Sequence, residues 1–167
     1  MILKNSWGFL SLLVIVVLSS CGVYSFTGAA IEGKTINVHY IENNARNLVP
    51  TLSPTFTEKL RQRILSQSSL AQLNSDKTDY DLQGSITAYD VTVASINSET
   101  SAKNRLTISV QIDFENRINE KGNFSQVFTR FADFAADRTV QSVETQLINE
   151  ISDQLADDIF NRAFVNW

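Results

Sequence analysis

The chain has 167 residues, 19% of them charged, and a formal net charge of −4 at pH 7. That length suits one domain, and the acidic balance excludes a general nucleic-acid binder, which needs a basic face for phosphates. It equally excludes electrostatic attraction to anionic lipid as the main hold on a membrane.

The first twenty residues read as an export signal rather than as part of that domain. Lys4 gives a positive start, and an apolar run over 7–18 is interrupted only by Gly8 and Ser11 before Leu18-Ser19-Ser20-Cys21. A charged start, a short apolar stretch and small residues before a cut site describe a secretory signal. The alternative, an uncleaved anchor, needs about 20 apolar residues for a span. Cys21 is the only cysteine, and its setting resembles the lipobox of bacterial lipoproteins. A free thiol in an oxidising compartment is the competing reading, and lipidation removes that liability. A diacylglycerol and an N-acyl chain on Cys21 would anchor durably, at roughly 0.8 kcal/mol per buried methylene. Loss of Lys4 takes the net charge from −4 to −5.

Residues 21–33 read as a lipidated tether and 34–167 as the single domain. Residues 35–40 alternate, with Ile36, Val38 and Tyr40 on one face of a first strand, and a loop over 43–52 follows. Ser53 is placed to cap a helix with Pro54 in its first turn. Phe56, Leu60 and Ile64 give that helix one apolar stripe, and it ends between 66 and 69. Leu70 and Leu73 then pack locally.

A second strand covers 80–96. Leu82, Ile86 and Ala88 share one phase and Tyr89, Val91 and Val93 the other, which requires a bulge near Ala88-Tyr89, with Gly84 a second possible place. After a polar turn over 97–104, Leu106, Ile108, Val110, Ile112 and Phe114 alternate strictly, and Ile118 keeps their phase. Residues 119–123 form a hairpin turn, with Gly122 set for a positive φ. A fourth strand over 124–134 places Phe124, Phe128 and Phe134 in one phase. A final helix over 139–162 carries Val143, Leu147, Ile151 and Leu155 at steps of four. The expected fold is an α+β two-layer sandwich: a four-stranded, mostly antiparallel sheet with two helices on one face, in the order β-α-β-β-β-α.

Chemistry is sparse. His39 is the only histidine and falls on the polar phase of the first strand, so a solvent-facing role outweighs a catalytic one. With Cys21 taken by lipid, no Cys-His pair is left, and a zinc site lacks ligands. Asp79 with Asp81, or Asp157 with Asp158, lack the spaced loop of a calcium site and read as solvated carboxylates. No catalytic residue, metal or cofactor is expected. Lys103 and Arg105, at the turn between the second and third strands, are candidate phosphate contacts; Lys121 and Arg130 also lie on or near strand ends. Ordinary solubilising charge is the plainer reading of all four. Phe160, Phe164 and Trp167 either finish the core or dock a partner.

The lipobox, the stretch Gly22-Val23-Tyr24-Ser25-Phe26-Thr27-Gly28, the strand Lys34-Thr35-Ile36-Asn37-Val38, residues 52–60 from Leu52-Ser53-Pro54 to Leu60, and Asp81-Leu82-Gln83-Gly84-Ser85-Ile86 together resemble the LptE family of lipopolysaccharide-assembly lipoproteins, in its Bacteroidetes-type form. The resemblance implies a non-enzymatic lipoprotein on the periplasmic side of the outer membrane. Such a protein plugs the lumen of a large β-barrel partner, LptD, helps it assemble, and assists delivery of lipopolysaccharide to the cell surface. Lys103 and Arg105 are not matched to family positions and stand as candidate lipopolysaccharide contacts from their placement alone. The alternative is a periplasm-facing lipoprotein binding module of another envelope transport system.

Overall fold

The computed structural model describes residues 31–97 and 100–165. The export signal, Cys21, most of the tether and Trp167 lie outside the described residues. The elements run β1 (Thr35–Val38), β2 (Glu42–Asn43), α1 (Leu52–Gln67), β3 (Ala71–Gln72), β4 (Tyr80–Asn97), β5 (Thr100–Asn116), a 3₁₀ turn (Glu120–Gly122), β6 (Phe124–Ala135) and α2 (Val140–Phe164).

The α+β class holds, but the sheet has six strands rather than four, in the order β3-β1-β4-β5-β6 with β2 beside β4. It is also mixed. β1 runs parallel to β3 and β4, β2 runs parallel to β4, and β4–β5 and β5–β6 are antiparallel. The element order is therefore β-β-α-β-β-β-α. The two additional strands have two residues each, too short to show a period. β3 occupies the position expected for local packing: Leu70 is buried while Leu73 is exposed.

β1 ends at Val38. Its chain then turns, so Tyr40 is exposed and Ile41 fills the core instead. Arg61 of α1 donates from Nε and Nη2 to the Val38 carbonyl, at 3.2 and 2.7 Å. The buried Ile41 N–H donates to Thr57 Oγ1 at 3.0 Å. Those two helix residues carry the backbone groups that the short strand leaves unpaired.

Helix α1 starts one residue earlier than Ser53, with Thr51 as N-cap and no side-chain capping bond. Ser53 lies inside the first turn, and its hydroxyl is buried without a hydrogen-bond partner. Leu52, Phe56, Leu60 and Ile64 form the buried stripe. Helix α2 covers the expected span and buries Val143, Leu147, Ile151, Leu155, Ile159, Phe160 and Phe164. Phe160 and Phe164 are thus core residues. Phe164 meets Tyr80 and Phe114 edge-on, with ring centroids 5.3 and 5.5 Å away.

The phase change in β4 is a bulge between Ile86 and Ala88, with Thr87 the extra residue. It keeps Leu82 and Ile86 on one side of the bulge, and Tyr89 beyond it, facing the same core. Gly84 is not the bulge; it pairs with Ile112 in register. A Cβ there would lie 2.2 Å from the Gln111 carbonyl oxygen, so the two backbones approach too closely for a side chain. Gly84→Ala should destabilise the fold by about 1–3 kcal/mol through overpacking, read as a lower denaturation midpoint; an unchanged midpoint would contradict this account.

The loop after β5 also differs from expectation. Ile118 lies beyond the strand and is exposed. Gly122 closes a 3₁₀ turn, and no described glycine has a positive φ. Side chains stabilise that loop instead of a hairpin turn: Asn116 Oδ1 accepts from the N–H groups of Ile118 and Asn119, and Asn119 Oδ1 from that of Lys121.

Candidate functional surface

Both helices lie on one face of the sheet. In β5 the positions Leu106, Ile108, Val110, Ile112 and Phe114 are buried under them, while Arg105, Thr107, Ser109, Gln111 and Asp113 are not. In-register partners continue the second set across the strands: Gln83, Asp90 and Thr92 on β4, Ser125, Thr129 and Asp133 on β6, with Val127 and Phe131 of β6 the exposed apolar exceptions. The result is a polar sheet face that neither helix covers, with a shallow groove of about 450 Å³ lined by Asp81, Gln83, Asp113, Glu115, Asn123 and Ser125.

At the β1 end of this face, His39 Nε2 lies 3.1 Å from both oxygens of Asp81 and 2.9 Å from the Asn37 amide. The Asn37 atom at that distance is the side-chain Nδ2, so Nε2 accepts from Asn37 in one tautomer and donates to Asp81 in the other. Asp81 is therefore a buried orienting group, not the solvated carboxylate expected, and His39 is half-exposed beside it. Among the described residues the ring's hydrogen-bond partners are Asn37 and Asp81.

The other paired carboxylates are also engaged. Asp79 accepts from the N–H groups of Lys34 and Thr35 at 2.8 and 3.0 Å and from the Thr35 hydroxyl at 3.0 Å. Asp157 pairs with Arg63, and Asp158 with Arg130 through two bonds. Among the described residues no three His, Cys, Asp or Glu side chains converge on a metal position.

The Lys34 N–H, followed by the Thr35 hydroxyl, holds the Asp79 carboxyl below its ordinary range. A carboxyl whose folded-state pKa is lowered stabilises the fold above its unfolded value, about 3.9, and that contribution is lost as pH falls through the folded value. Arg105 lowers Asp133 in the same direction. Thermal stability should therefore decline below about pH 4, and Asp79→Asn should flatten part of that acid limb; an identical acid limb would contradict the assignment.

Lys103 and Arg105 fall within β5, not in a turn, because the strand begins at Thr100. Ser98 and Glu99 lie outside the described residues. Arg105 is committed: its guanidinium pairs with Asp133 at 2.7 and 3.0 Å and stacks 3.7 Å over the Phe131 ring. Sequence reasoning missed both partners, although Phe131 lies out of phase with Phe124, Phe128 and Phe134, which signals a ring on the uncovered face. Lys103 is exposed beside this cluster, with no carboxylate bonded to it among the described residues. On the opposite side of the same end, the helices stop short, and Val91 and Val93 are 44% and 63% exposed. Lys121 stands in the 3₁₀ turn, and Arg130 faces the helices through its pair with Asp158.

This combination defines a small α+β module that offers a polar sheet face and an amphipathic strand end. It resembles in fold a minor lipoprotein from Acinetobacter baumannii, at 17% identity and TM-score 0.52, covering 77% of this chain and 91% of that one. It also resembles the hypothetical protein CT253 from Chlamydia trachomatis, at 10% identity and TM-score 0.55, covering 80% and 98%. No curated protein matches the chain in sequence. Residues 33–163 match the family described as LptE, lipopolysaccharide-assembly, and the chain belongs to that family.

Proposed function

We propose that the chain is exported, loses residues 1–20, and is anchored by acyl chains on Cys21 to the periplasmic side of the outer membrane. Residues 21–33 serve as its tether. The domain over 34–167 lodges as a plug in the lumen of an LptD-type β-barrel, helps that barrel assemble, and assists delivery of lipopolysaccharide to the cell surface. The family match over residues 33–163 carries this reading. The uncovered polar face supports it, because the interior of a large barrel is itself polar and water-filled. The role is non-enzymatic and uses no cofactor.

Lys103 and Arg105 are the proposed lipopolysaccharide contacts. Their cations lie on one side of the β4–β5 end and Val91 and Val93 on the other, which suits a ligand with both phosphates and acyl chains. Purification of the full chain from detergent-solubilised envelopes tests the partner. A large β-barrel should come down with it; recovery with a different transport system and no barrel would favour the alternative module instead. Cys21→Ser should leave the protein unprocessed or soluble on fractionation, and a variant that still sediments with the outer membrane would remove Cys21 as the anchor.

A further inference from the structure

Lys103 and Arg105 share the uncovered face of β5 with one acid of β6. The β5–β6 register sets Arg105 directly opposite Asp133 and Lys103 opposite Ala135. Lys103 is therefore a diagonal neighbour of Asp133, a relation that spans ~7–8 Å. On β4 the partners of the two cations are Ser95 and Thr92, both uncharged. One carboxylate thus answers both cations, and this end of the sheet keeps a single net positive charge instead of two.

The carboxylate occupies the part of Arg105 that a phosphate would use. Arg105 Nε donates to Asp133 Oδ1 at 2.7 Å and Nη2 donates to Oδ2 at 3.0 Å. That parallel fork is how a guanidinium binds either a carboxylate or a phosphate. Phe131 covers one flat side of the group, 3.7 Å from its ring. Nη1 has no hydrogen-bond partner among the described residues. The hydrogen bond from Arg105, and then the charges of Arg105 and Lys103, hold the Asp133 carboxyl below its ordinary range, so it stays an anion at neutral pH. An arriving phosphate either displaces that anion from the fork or settles on Nη1 and Lys103 beside a like charge. Both courses cost affinity. The pair is partly exposed, with side chains 35% and 30% accessible, so the obstacle is modest and can be overcome.

On the reading of Lys103 and Arg105 as lipopolysaccharide contacts, we propose that Asp133 is a built-in competitor of the ligand's phosphate. It withholds the Arg105 fork and keeps lipopolysaccharide weakly held, so that the ligand is passed on rather than retained.

Titration of the full-length chain in detergent with purified lipopolysaccharide tests this. Asp133→Asn keeps an oxygen for Arg105 and removes the charge. It should bind about fivefold tighter than the wild type, the effect of ~1 kcal/mol for a unit charge about 4 Å from a phosphate in water. Asp133→Glu keeps the charge and should stay near the wild type. Asp90 lies on the same face but pairs with Thr107, so Asp90→Asn should gain less, its charge being more distant and screened. Lipopolysaccharide stripped of its phosphates should bind Asp133→Asn and the wild type equally. Circular dichroism verifies the fold of each variant. Equal or weaker binding by Asp133→Asn overturns the proposal and leaves Asp133 as an orienting partner of Arg105. A gain that persists with the stripped ligand, or one matched by Asp90→Asn, overturns it as well. Where Lys103→Glu with Arg105→Glu loses binding but Asp133→Asn gains none, the competitor alone is refuted. Where that double variant binds like the wild type, the contact reading fails and the competitor falls with it.

Discussion

Replacing Lys103 and Arg105 together with glutamate should weaken lipopolysaccharide binding by well over tenfold, because charge-assisted hydrogen bonds to phosphate contribute about 1.5–3 kcal/mol each. The two positions are not equivalent. Arg105 already gives two bonds to Asp133 and lies over Phe131, so its charge is largely answered within the sheet. Lys103 is exposed beside it. Lys103→Glu alone should therefore carry most of the loss, whereas Arg105→Gln should act mainly by releasing Asp133 and unstacking Phe131. A pull-down or titration with purified lipopolysaccharide separates the two. Equal binding by the double variant and the wild type would remove this end of the sheet as the ligand site. Raising the salt concentration should weaken binding by the wild type more than by the double variant, since exposed charges are screened.

Phe56→Ala should destabilise the domain by about 3–5 kcal/mol, a large share of the 5–15 kcal/mol typical of a whole domain. Phe56 is 1% exposed and sits in the stripe that α1 turns into the core with Leu52, Leu60 and Ile64. Removing the ring loses its transfer energy and leaves a cavity that packed neighbours close only in part. In a denaturant titration the midpoint should fall with the slope nearly unchanged. A loss under about 1 kcal/mol would mean that the α1 stripe is not core. The ion pairs joining the two helices, Lys59–Asp153 and Arg63–Asp157, are partly exposed and add little by comparison.

The long elements were legible because their burial is periodic. The alternation of Leu106, Ile108, Val110, Ile112 and Phe114 defined β5, and the step of four in Val143, Leu147, Ile151 and Leu155 defined α2, since each has a covered side and an uncovered one. The phase slip in β4 showed its bulge to within about one residue of Thr87, as a register change moves every following side chain to the other face. What escaped was set by tertiary contact. β2 and β3 exist because β4 and β1 lend them a partner, not because of any pattern of their own. Gly84 resembles a turn or bulge residue, yet the Gln111 carbonyl explains it. Gly122 resembles a positive-φ turn, but the amides of Asn116 and Asn119 close that loop another way.

The surface was legible in part. Lys103 and Arg105 were visible as cations, but the sequence placed them in a turn, because the polar residues of 97–104 hide the first residues of β5. The partners that decide their character, Asp133 and Phe131, lie about 28 residues further along the chain and become neighbours only through the β5–β6 register. The polar phase of His39 predicts a solvent-facing ring, and its exposure agrees; its bond to Asp81 depends on the parallel pairing of β1 with β4, which no local pattern announces.

In the proposed function this domain works inside a barrel, with its uncovered sheet face toward the wall or the lumen water. A photoreactive amino acid at Thr107, in the middle of that face between Asp90 and Phe131, tests it in intact cells. Illumination should yield an adduct containing an LptD-type barrel. Adducts only with other envelope proteins, obtained while the barrel is present in the same membranes, would contradict the account.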